Sequence, residues 1–125
     1  MEKMLKVLVA EDEPALAQFY VTLLRHWNCE TVVEHTGKDA IRLAAIFRPD
    51  VALLGVVMQD MGGVEAGIKL LGICPGTKIV LVTERVPPET LEQLEAQGHH
   101  FATLPAPFSC EELHALVFGR FKAKP

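Results

Sequence analysis

The chain has 125 residues, a net charge of −4, half of its residues hydrophobic and only 6% aromatic. That length suits one domain over residues 1–125, with a core built mainly from Val, Leu, Ile and Ala. The acid excess disfavours a nucleic-acid footprint, and no apolar run approaches the roughly 20 residues of a membrane span.

Short apolar runs alternate with helical patterns along the whole chain. Lys6–Ala10 (KVLVA) reads as a first strand, a continuous β-prone run of the kind covered on both faces. Glu11-Asp12-Glu13 follows it, and Pro14 suits the first turn of a helix to about Trp27, where no N–H is needed. Glu13 stands where it would cap that helix and favour its dipole. Glu30–Val33 is a weaker strand, and Thr36 is placed to cap a helix through Phe47, with Asp39 three residues on.

Val51–Leu54 (VALL) and Lys78–Val82 (KIVLV) are two more buried strands, separated by a glycine-rich helical pattern from Gly62 to Gly72. Pro87-Pro88 opens a helix that stops at Gly98, a residue suited to a left-handed end. His100–Leu104 is a weak last strand. Ser109-Cys110-Glu111-Glu112 is a capping box for a helix ending near Phe121, and the basic tail Arg120 to Lys124 reads as a solvated end. The N-terminus carries no secretory pattern, and an odd set of well-separated cysteines (Cys29, Cys74, Cys110) fits reduced thiols in the cytoplasm.

Five βα units in strict alternation predict an α/β fold with a parallel sheet, right-handed crossovers and helices on both faces. The expectation is a flavodoxin-like, doubly wound (βα)5 three-layer sandwich with strand order 2-1-3-4-5. In such sheets the ligand crevice lies beyond the carboxyl ends of the central strands. Glu11 and Asp12 stand there after the first strand, Gly55 after the third, Thr83-Glu84 after the fourth and Pro105-Ala106-Pro107-Phe108 after the fifth. Adjacent carboxylates repel unless they share a proton or a cation, and hard cations such as Mg²⁺ take oxygen ligands.

These segments resemble the receiver domain of two-component response regulators, over essentially the whole chain. VLVAEDEP matches that family's strand and acidic pair, on Glu11 and Asp12. PDVALLGVVMQDMGG keeps the Pro-Asp ahead of the strand together with Met58, Met61 and Gly63. Val80–Thr83 puts Thr83 at the family's switch hydroxyl, and Pro107-Phe108 precedes the acidic start of the last helix. The departures fall on the chemistry. Gly55 stands at the phospho-acceptor aspartate, Ala106 at the lysine, Glu84 at a usually small residue and Gln59 at a usual proline. One extra residue between Gly98 and Phe108 leaves Phe101 and Thr103 both open as the aromatic-switch position.

Phosphorylation of a receiver needs a carboxylate nucleophile, a metal on the acidic cluster and a lysine on the phosphoryl oxygens. Gly55 and Ala106 supply neither nucleophile nor lysine. The expectation is therefore an atypical, degenerate receiver with no catalytic residue: a phosphorylation-independent signalling and protein-interaction module, not an enzyme. Glu11 and Asp12 remain as a vestigial acidic pocket. An acid and a base are lost together, so the pocket keeps the formal charge of −2 that the family pattern has. No cofactor is required, and the resemblance leaves room for weak Mg²⁺ on Glu11, Asp12 and the Val57 carbonyl.

The expected partner is a kinase, an effector or another receiver, met through the fourth helix, fifth strand and fifth helix, with Glu92, Glu95, Glu111 and His114 exposed there. A homodimer is compatible with this; nucleic acid and membrane contacts by this domain are not expected. The rival reading is a small-molecule or nucleotide sensor using the vacated pocket. Asp60, five residues past Gly55, is a poor substitute nucleophile, because a nucleophile must be held rigidly in reach. Asp50 belongs at the other end of the sheet. His99 and His100, adjacent on a strand, would point to opposite faces and form no metal pair. Pro87-Pro88 would restrict the segment after Thr83 to one dominant conformation.

Overall fold

The computed structural model describes residues 4–83 and 87–119, with Thr83 described by its backbone alone. Its elements are β1 (Lys6–Ala10), α1 (Pro14–His26), β2 (Glu30–Glu34), α2 (Gly37–Phe47), β3 (Val51–Gly55), α3 (Gly63–Ile73), β4 (Lys78–Thr83), α4 (Pro88–Ala96), β5 (Ala102–Pro105) and α5 (Cys110–Phe118). All strands run parallel in the order β2-β1-β3-β4-β5, the doubly wound, flavodoxin-like order expected from the alternation. No described helix is long and apolar enough to cross a membrane.

Alternation of side chains along each strand splits the core in two. Val7, Val9, Leu53, Val80 and Leu104 face Tyr20 and Leu24 of α1 and Leu113 and Val117 of α5. Leu8, Ala10, Ala52, Leu54 and Leu81 face Ala40 and Ala44 of α2 and Ala66 and Leu70 of α3. Burial on both faces explains why β1, β3 and β4 read as unbroken apolar runs rather than alternating ones.

The helix ends follow local chemistry. Thr36 Oγ1 accepts from the Asp39 N–H (3.1 Å) at the start of α2. Ser109 and Glu112 close a reciprocal capping box on α5. Gly98 takes φ 85° just past α4. Three expectations need correction. Glu13 occupies the N-cap of α1 but its side chain caps nothing; shorter acceptors such as Asp or Ser fit that role better. The last strand starts at Ala102, not His100, because the His99 N–H is committed to the Leu94 carbonyl (2.8 Å) in closing α4. His99 and His100 therefore precede the strand instead of alternating along it. Finally, α5 ends at Phe118, where Gly119 turns extended with φ −74° and ψ 157°. The tail from Arg120 lies outside the described residues, as do Glu84 and Arg85.

Candidate functional site

The register gathers the candidate residues at one edge of the sheet. Ala10 pairs with Leu54, Gly55 with Val82, and Thr83 with Pro105. Glu11 thus leaves β1 beside Gly55, and Ala106 stands one residue past β5. Thr83 ends β4 in the same row, but its side chain lies outside the described residues. Asp50 is at the opposite end, as expected, where its carboxylate accepts from the Lys6 N–H (2.8 Å).

Glu11 is only 8% exposed. A Cβ built on Gly55 would stand 3.1 Å from Glu11 Oε1 and 3.6 Å from the Ala10 carbonyl oxygen. The Glu11 carboxylate therefore fills the space directly beside the last Cα of β3. It accepts from the Glu13 N–H (3.1 Å), and the Glu11 carbonyl accepts from His35 Nδ1–H (2.9 Å). Burial pushes the Glu11 carboxyl above its ordinary value; the Glu13 N–H opposes this, while hydrogen bonding to Asp12 and the charges of Asp12 and Glu13 reinforce it. Asp12 is half-buried beside it. Tyr20, under the same loop, has its phenol pushed up to about 12 by burial first and then by Glu11 and Glu13.

The loop after β3 is held by backbone fit and by an acid the sequence placed poorly. Val57 and Gly62 form an isolated antiparallel bridge, and the Gly63 N–H donates to the Val56 carbonyl (2.8 Å). A Cβ on Gly63 would collide with the Gly55 carbonyl, so α3 starts against the backbone of β3 itself. Asp60 does not turn toward the pocket. Its two oxygens accept from the N–H groups of Gly37 (2.9 Å) and Lys38 (2.8 Å) at the start of α2. Those bonds, Lys38 first, hold its carboxyl below the usual value. No local sequence signal marks this contact, because its donors lie more than 20 residues upstream.

On the far side, Ala106 precedes a cis peptide to Pro107, and Phe108 stacks on Tyr20 with ring centroids 6.0 Å apart. Lys78 is no stand-in for a lysine at 106. It opens β4 at the opposite end of the sheet, and its Nζ donates to the Leu116 and Gly119 carbonyls. Phe101 lies ahead of β5 with its ring against Gly67 of α3, whereas Thr103 sits within β5 opposite Leu81.

A hard divalent cation here would find the carboxylates of Glu11 and Asp12 and the carbonyl of Val57. One carboxylate is already hydrogen-bonded and β3 contributes no third. Among the described residues no three Asp, Glu, His or Cys side chains gather to hold a metal. The donor set fits Mg²⁺ poorly.

Residues 7–118 match the model of the response regulator receiver domain family. TcrX of Mycobacterium tuberculosis is 38% identical over 110 residues, covering 86% of this chain but 45% of TcrX, so the chain spans about half the length of such relatives. Among solved structures, chemotaxis protein CheY4 of Vibrio cholerae aligns with a TM-score of 0.81 at 27% identity, over 90% of this chain and 94% of that one. The receiver domain of sensor histidine kinase PA1611 from Pseudomonas aeruginosa, solved with magnesium coordinated in its active site cleft, shares the fold. It has a TM-score of 0.78 at 20% identity, over 92% and 95% of the two chains. With the strand order and the acidic loop after β1 in place, and residues 7–118 matching the family model, the chain belongs to the response regulator receiver domain family of two-component signalling.

Proposed function

We propose that this receiver works without accepting a phosphoryl group, as a cytoplasmic protein-interaction module and not an enzyme. One observation carries the reading: the last residue of β3, beside the acidic pair, is Gly55. Glycine has no oxygen with which to attack phosphorus, whatever its surroundings. Ala106 removes the cationic group that would stabilise the transferring phosphoryl. Asp60, committed to the start of α2, is no replacement.

The sensor reading draws less support, since the Glu11 carboxylate already stands in the space next to Gly55. Mg²⁺ binding at Glu11, Asp12 and the Val57 carbonyl is weak in this reading. The partner face is α4, β5 and α5, where Glu92, Glu95, Glu111 and His114 are exposed. From Pro87 to Gly119 the chain carries five glutamates and no lysine or arginine, so the partner surface, on a kinase, an effector or another receiver, is basic and its binding salt-sensitive. Pro88 opening α4 favours one standing conformation of that face.

Titration of the labelled protein with beryllofluoride and Mg²⁺, followed by amide NMR, tests the reading. Resonances across Glu11, Gly55 and Ala106 are expected to stay in place. Saturable shifts there, spreading to α4 and β5, would overturn it.

A further inference from the structure

We propose that the outer edge of β2 is a docking site for an extended peptide segment of a partner protein, one with a basic residue on either side of an apolar one. The site lies away from the α4, β5 and α5 face and does not depend on how the Gly55 pocket is read.

β2 forms one edge of the sheet. The Glu30 N–H donates to the Leu5 carbonyl (2.9 Å), and the Glu34 carbonyl accepts from the Glu11 N–H (3.1 Å). Glu30, Val32 and Glu34 therefore turn their backbone groups toward β1, and Thr31 and Val33 turn theirs outward. Among the described residues a single group reaches that outward row: Arg25 Nη2 donates to the Thr31 carbonyl at 3.4 Å, a long bond that an incoming strand can replace. The N–H groups of Thr31 and Val33 and the Val33 carbonyl are left for water or for another strand. The opposite edge is blunted, since β5 has four residues and ends in Pro105.

The side chains along this edge select what can add to it. Glu30, Val32 and Glu34 share one face of β2, the face on which Val32 packs toward α2. There Glu34 lines an open groove of about 380 Å³ with Asp39, Arg42, Leu43 and Ile46 of α2. Ile46, 81% exposed, is the most exposed large apolar side chain among the described residues. Asp39 and Arg42 pair with each other (3.8 Å), whereas neither Glu30 nor Glu34 has an ion-pair partner among those residues. A strand paired with β2 sets one side chain opposite each of Glu30, Val32 and Glu34. Lysine or arginine opposite the two glutamates answers both charges, and a β-branched residue between them covers Val32 beside Leu43 and Ile46. A second copy of β2 is the wrong occupant: antiparallel pairing about Val32 sets Glu30 of each copy opposite Glu34 of the other, and like charges there repel.

The test titrates the labelled full chain with a short end-blocked peptide, Ser-Lys-Thr-Val-Thr-Lys-Ser, followed by amide NMR and amide exchange. Saturable shifts are expected at Thr31, Val33 and along α2 from Asp39 to Ile46, with exchange slowed at the Thr31 and Val33 N–H groups. The same peptide with glutamate for both lysines should bind at least about tenfold more weakly. Glu30→Lys combined with Glu34→Lys should invert that preference and leave the thermal melt unchanged. Failure of the lysine peptide to bind, or equal binding of the two peptides to the parent chain, would overturn the proposal. So would shifts confined to α4 and α5, unslowed exchange at Thr31 and Val33 under saturating peptide, or a chain that pairs with itself along β2.

Discussion

Gly55 and Gly63 face one another where β3 ends and α3 begins, yet alanine at the two positions should act in opposite directions. A Cβ at Gly63 would stand 3.0 Å from the Gly55 carbonyl carbon and 3.1 Å from Val56 Cα, and closer still to the Gly55 carbonyl oxygen. None of these atoms can rotate away, so α3 must lift off β3. Alanine gains about 1 kcal/mol over glycine within a helix. Forcing apart two packed backbones costs about 3 kcal/mol, the upper end of the range for overpacking. Gly63→Ala should therefore lose about 2 kcal/mol, or about 8 °C in melting temperature for a chain of this length. At Gly55 the nearest atom, at 3.1 Å, is Glu11 Oε1, the far end of a side chain. A retreat of a few tenths of an ångström suffices, and alanine in a strand is worth about 0.5–1 kcal/mol over glycine. Gly55→Ala should therefore match or slightly exceed the parent. Urea unfolding with a common slope gives both values. Equal losses in the two variants, or a Gly63→Ala protein as stable as the parent, would refute the reasoning.

Two further outcomes follow from the acids. The Glu11 carboxyl is raised above its ordinary 4.5 by burial, so the folded state binds that proton more tightly than the unfolded chain. Between the ordinary and the raised value stability falls as pH rises. Glu11→Gln, which keeps an oxygen for the Glu13 N–H, should flatten that slope and raise the urea midpoint at pH 7; a lower midpoint at that pH counts against it. Asp60 is shifted the other way, so its contribution is present above its ordinary 3.8 and is lost as pH falls through the lowered value. Asp60→Ala should speed amide exchange at Gly37 and Lys38 while leaving β1 protected, and unchanged exchange at those two amides would show that the loop is held by something else.

The fold was legible because its signals are local or periodic. Runs such as VLVA in β1 and VALLG in β3 are apolar on every residue because both faces of the strand are covered, by α1 and α5 on one side and by α2 and α3 on the other. Pro14, Thr36, Gly98 and Ser109 act within their own turns, and they mark helix ends where expected. The misplacements are tertiary or competitive. The start of β5 slipped because the His99 amide closes α4 instead of joining the sheet. Glu13 looked like a cap and does hold the N-cap position, but its side chain makes no cap bond. At the site, the chain showed that Glu11, Asp12 and Gly55 end neighbouring strands, yet not that the Glu11 side chain fills the space beside Gly55. Asp60 has its partners 22 and 23 residues away, beyond any local pattern.

Intact-mass spectrometry after incubation with acetyl phosphate and Mg²⁺ bears most directly on the account, with a hydroxylamine-treated aliquot to reveal acyl phosphate. The mass should remain that of the unmodified chain, with and without hydroxylamine. A single phosphoryl addition that hydroxylamine removes, mapping to the β1, β3 or β4 loops, would contradict it.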